Sequence, residues 1–96
     1  KPETWFRAVE GDSLLGVGCL LHVSRTTVRH SNDFVFPAHR GKGVIKEIVK
    51  FRENWARLNG FKKAEVRTVK KYYEPLGYVR TRDYKVGGSQ YVKGLA

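Results

Sequence analysis

The sequence predicts an α/β (α+β) domain in which one long helix packs on a mixed sheet, in the order β-β-β-α-β-(short α)-β-β. Three observations lead there. Apolar and aromatic residues alternate in short runs through the first third of the chain, the period becomes helical between Lys42 and Leu58, and alternation returns after Asn59-Gly60. A strand, a long helix and a further strand in succession make a right-handed parallel crossover, which puts both strands in one sheet.

Trp5 to Val9 is apolar and aromatic, Glu10-Gly11-Asp12-Ser13 is a turn cluster, and Leu14 to Val23 is a second extended run, so the chain opens with a hairpin. A third run, Thr26 to Phe36, sets Val28, His30, Phe34 and Phe36 on one face, with Ser31-Asn32-Asp33 marking a bulge or kink. Pro37 has no amide hydrogen and ends the pairing. From Lys42 to Leu58, the residues Val44, Ile48, Phe51, Trp55 and Leu58 fall on one helical stripe, while Lys46, Lys50, Glu53 and Arg57 face away. Phe51 and Trp55 are therefore expected in the core. Asn59-Gly60 tolerates a left-handed conformation and stops the helix. Lys63 to Thr68 is a short strand with Ala64, Val66 and Thr68 on one side. Val69 to Pro75 has room for a turn or two of helix, and Tyr78 to Val86 with Gln90 to Leu95 form a hairpin around Gly87-Gly88.

With 96 residues and 41% hydrophobic content the chain suffices for one folded domain, residues 1–96, and one site. The lone Cys19 excludes an internal disulfide, and no Cys/His cluster has zinc spacing, so no metal and a reducing, cytoplasmic compartment are expected. No apolar run approaches the roughly 20 residues that span a bilayer, and no signal-peptide pattern is present. A net charge of +10, with the basic residues crowded into the second half, points to an anionic partner: phosphate, a phosphorylated cofactor or nucleic acid. A merely solvated basic surface has the same composition.

The segment Phe36-Pro37-Ala38-His39-Arg40-Gly41-Lys42-Gly43-Val44 joins a strand to the start of the long helix. Its two glycines let the backbone curl, so that amides without intrahelical partners, reinforced by the helix dipole, converge on an anion. Arg40 and Lys42 add charge. Neither the Walker A spacing nor the Rossmann fingerprint is present.

These residues resemble the acetyl-CoA signature of the GNAT acetyltransferase superfamily, in which a Val-x-Pro strand end runs into Arg/Gln-x-x-Gly-x-Gly/Ala. Downstream, Tyr73-Glu74-Pro75-Leu76-Gly77-Tyr78 is similar to the family's Tyr-Glu-x-Leu-Gly-Phe segment. The resemblance covers Trp5 to Leu95, the GNAT-like fold from its second strand onward, and implies that the family's N-terminal strand and two helices are lacking. It further implies acetyl-CoA as co-substrate, with its pantetheine arm between two splayed strands that end near Val35 and Thr68. Phe34 and Val35 would bond that arm, and Arg40, Gly41, Lys42, Gly43, Val44 and Ile45 would hold the pyrophosphate. Tyr73 stands where the family places the general acid that protonates the departing thiolate; a phenol pKa of about 10 suits that role. For the base, His30, Asp33, His39 and Glu65 are equal candidates. Ile45 departs from the family's Gly/Ala, and Thr68 to Tyr73 is short for the family's fourth helix. The function implied is N-acetyl transfer to an amine acceptor, a small molecule or a protein- or RNA-linked amine, by direct attack. The alternative is a catalytically inactive module of this fold, binding nucleic acid or serving assembly, as in a phage particle.

Overall fold

The computed structural model describes residues 2–95. Six strands form one sheet: β1 (Glu3–Glu10), β2 (Ser13–His22), β3 (Thr27–Val35), β4 (Lys63–Thr68), β5 (Val79–Asp83) and β6 (Ser89–Gly94), in the spatial order β1-β2-β3-β4-β6-β5. The single α-helix among the described residues, α1 (Val44–Leu58), connects β3 to β4, which pair in parallel; every other neighbouring pair is antiparallel. Two 3-10 turns, Pro37–His39 and Glu74–Leu76, complete the chain. This is the mixed sheet with one helix that alternation and period predict. The helix begins at Val44 rather than Lys42, because Gly43 sits at φ +78° and cannot belong to a right-handed helix. No helix among the described residues is long and apolar enough to cross a membrane.

The bulge expected in β3 is present and shifts the strand's parity. Val17 faces Phe34 and Cys19 faces Ser31, so β3 carries one extra residue there, and Asn32 takes φ +57°, a conformation asparagine tolerates better than most residues. The alternation is thereby reversed: Asp33 and Val35 turn toward the helix, while Phe34 and Phe36 are 44% and 39% exposed. The expected common face of Val28, His30, Phe34 and Phe36 is therefore broken after His30.

The helix is also rotated from its expected stripe. Its buried residues are Ile48, Val49, Arg52, Glu53 and Ala56, whereas Phe51 is 63% and Leu58 87% exposed. Trp55 remains half-buried, against Phe6 and Phe61. Two charged side chains sit where apolar ones were expected because the sheet supplies partners. Arg52 Nη1 donates to Asp33 Oδ1 at 2.7 Å and to the Cys19 carbonyl at 3.1 Å, and Nη2 donates to the Tyr73 hydroxyl at 3.3 Å. Glu53 accepts from the Tyr78 hydroxyl at 2.7 Å and from Lys93 at 3.2 Å.

Gly18 is part of this arrangement. A Cβ there would lie 2.5 Å from Arg52 Nη1 and 2.8 Å from Asp33 Oδ1, so the ion pair occupies the space a side chain would need. The apolar core, including Leu20, Val28, Val49, Ala64, Val66 and Tyr91, fills the rest of the helix-sheet interface.

His30 extends the polar network. Tyr78 gives its proton to Glu53, so His30 Nε2, 2.6 Å from the Tyr78 oxygen, must be the donor. That leaves Nδ1 with a lone pair, buried and without a protein partner. Burial, with the charges of Arg52 and Lys93 nearby, holds the His30 pKa well below its ordinary 6.5.

Two outcomes follow for stability. Arg52→Met, which leaves Asp33 charged and unpaired, should cost about 3–5 kcal/mol, and Gly18→Ala about 1–3 kcal/mol, in urea unfolding. Because the folded state favours neutral His30, the unfolded chain takes up the proton first. Stability should fall as pH drops below 6.5, with a slope of up to about 1.4 kcal/mol per pH unit. Unfolding midpoints of the wild type and His30→Phe between pH 7 and 5 check this, the variant giving the flatter profile.

Candidate functional site

The junction between β3 and α1 is built from exposed backbone. His39 and Arg40 spend their amides within the first 3-10 turn, on the carbonyls of Phe36 and Pro37. From Gly41 to Lys46, by contrast, no amide hydrogen has a protein acceptor among the described residues; the ladder begins with the Glu47 amide on the Gly43 carbonyl. No side chain caps the helix at this N-terminal end. Gly41 and Gly43, at φ +76° and +78°, turn the chain so that these amides gather at the positive end of a 15-residue helix. Arg40 is anchored beside them, with Nε donating to the Val35 carbonyl at 2.8 Å and the guanidinium 5.4 Å from the centre of the Phe34 ring.

The turn opens into a space between strands. Pairing of β3 with β4 covers only Thr27–His30 against Lys63–Val66, so the strands part before β3 ends at Val35. Because the Phe36 amide bonds to Leu15 on β2, strand alternation turns the backbone groups of Val35 away from β2, toward the opening. The Val35 carbonyl is taken by Arg40, leaving its amide; the Phe34 backbone faces β2 instead.

A groove of about 580 Å³ fills this region. Phe34, Val35, Arg40, Gly41, Gly43, Val44 and Ile45 all line it, whereas Lys42 does not. Lys46 stands on the wall instead, together with Lys70, Tyr72 and Leu76. Helical periodicity set Lys46 on the outward face, and outward from the core is, in the first turn, toward the groove. Nothing in the sequence distinguishes Tyr72 from its neighbour. Ile45 is partly buried and packs against the core cluster.

Tyr73 is fully buried, its hydroxyl donating to Asp33 Oδ2 at 2.5 Å and accepting from Arg52. Burial and the adjacent Asp33 carboxylate push its pKa upward, so it stays a protonated phenol. The four candidate bases separate in space. Glu65 pairs with Arg29 at 2.7 Å, His39 lies on the groove wall within the 3-10 turn, and His30 is buried against Tyr78. Asp33 borders both the groove and a second opening on its far side.

The model of the acetyltransferase (GNAT) family matches residues 1–78. Among solved structures, Rv2747 of Mycobacterium tuberculosis in complex with CoA superposes with a TM-score of 0.86 at 16% identity, over 96% of this chain and 76% of that one. The PaiA N-acetyltransferase of Thermoplasma acidophilum, in complex with coenzyme A, gives 0.84 at 13% identity, over 96% and 60%. An aminoglycoside 6'-N-acetyltransferase complexed with coenzyme A gives 0.81 at 14%, over 98% and 73%. The chain thus spans 60% to 76% of the length of these structures. No curated protein matches the sequence. The match of the family model over most of the chain, on a sheet that parts beside a glycine-lined helix start, shows that the chain belongs to the GNAT acetyltransferase family.

Proposed function

We propose that the protein is an N-acetyltransferase that moves the acetyl group of acetyl-CoA to an amine by direct attack. The observation that carries this reading is the run of unpartnered amides from Gly41 to Lys46, opening into the same groove as the free edge of β3. A diphosphate satisfies those amides and complements the helix dipole, and Arg40 and Lys46 supply charge at the rim. Lys42, off the wall, adds only to the surrounding positive potential. The pantetheine arm, which carries two amides, suits the free Val35 amide and the apolar wall. CoA in the structures of family members supports the same assignment.

In the reaction, the neutral amine attacks the thioester carbonyl, the C–N bond forms, the C–S bond breaks and the thiolate needs a proton. Tyr73 is the proposed donor, with Asp33 its partner: the phenol passes its proton to sulfur while Asp33 takes one from the new ammonium and returns it to the phenolate. In the resting geometry the phenol keeps its proton and donates it in a hydrogen bond to Asp33. A specific observation also favours Tyr72 as donor, since its ring forms part of the groove wall.

Isothermal titration should give saturable CoA binding, weakened by Arg40→Ala; no heat at millimolar CoA would refute the reading. Tyr73→Phe should lower kcat about 10²-fold or more with little change in the KM for acetyl-CoA. If that loss falls on Tyr72→Phe instead, the donor is Tyr72.

A further inference from the structure

The proposed acetyl-CoA groove leaves a second opening without a role. It has a volume of about 400 Å³ and lies where β3 and β4 part, bordered by Arg29, His30, Asp33, Arg67, Lys70 and Tyr72. Arg29 and Arg67 alternate along their strands with His30 and Val66, which face the helix, so this opening reaches the sheet's other face. Asp33, Lys70 and Tyr72 border both spaces, which therefore meet at these three residues. A thioester in one would be within reach of an amine in the other.

The charges of this second wall are unbalanced. Arg29 is matched by Glu65, and Asp33, its only carboxylate, is matched by Arg52. Among the described residues no carboxylate lies within ion-pair distance of Arg67 or Lys70. Arg67 is also held in place: Nε donates to Gln90 Oε1 at 3.2 Å and the guanidinium lies 5.6 Å from the centre of the Tyr84 ring. A side chain already ordered loses little further freedom when its terminal nitrogens receive an anion. Cations beside the amine disfavour its ammonium form, and only the neutral amine can attack.

We infer that the acceptor is an amine bearing an anionic group, a carboxylate or a phosphate, seated on Arg67 and Lys70. This rests on the acetyl-CoA reading and adds the acceptor's charge to it. A polycationic acceptor would meet like charge here and find no free carboxylate for its second ammonium.

The test measures binding of β-alanine, phosphoethanolamine, ethanolamine and putrescine to the CoA-loaded protein, together with their acetylation. Either anionic amine should bind about ten-fold or more tightly than ethanolamine and putrescine, and the better of the two tells carboxylate from phosphate. Arg67→Glu should abolish that preference and Arg67→Gln should reduce it, both with unchanged CoA affinity and unfolding midpoint. Equal or tighter binding of putrescine, or a preference that survives Arg67→Glu, would overturn the inference. Failure of CoA itself to bind would remove the acetyl-CoA reading and this inference with it.

Discussion

The structure depends on the ion pair between Arg52 and Asp33. A guanidinium with no exposed surface is tolerable only because Asp33, the Cys19 carbonyl and the Tyr73 hydroxyl surround it. Those four groups come from α1, β3, β2 and the segment after β4, so one buried charge ties the helix to two strands and to that segment. Bringing Asp33 to the helix requires the extra residue in β3, and fitting the pair beneath α1 requires a glycine at position 18. Bulge, glycine and ion pair form one device.

The same bulge organises the chemistry. It turns Asp33 inward and Phe34 outward just where β3 leaves β4, so the carboxylate stands at the junction of two openings and the aromatic ring stands beside Arg40. Free amides at the start of the helix lie on one side, and an unbalanced pair of cations lies on the other. Glu53 anchors a second polar chain through Tyr78 to His30, also reaching from helix to sheet, so the helix is held to its face by directional contacts as well as apolar packing.

Much of this was legible in the residues. Period and alternation placed all six strands and the helix to within a few positions, and Asn32 within Ser31-Asn32-Asp33 marked the bulge. The glycines of the turn, with Arg40 before them, all line the groove. What was not legible follows from parity and pairing. A one-residue bulge reversed the exposure of Phe34 and Phe36, and periodicity set Glu53 facing away and gave Arg52 no place on the buried stripe, because their partners are distant in sequence. Lys42 and Lys46 exchanged places for a similar reason: only the direction of the first helical turn decides which lysine meets the opening.

Local chemistry by itself determined the elements, the glycine turn and the excess of positive charge, since each depends on residue type and near-neighbour spacing. The insertion of β6 between β4 and β5, the burial of Arg52, the enclosure of Tyr73 by Asp33 and the meeting of two grooves at Asp33 were decided only by the tertiary structure. Each of these depends on contacts between residues 19 to 40 positions apart, and no local pattern encodes which distant group will neutralise a buried charge.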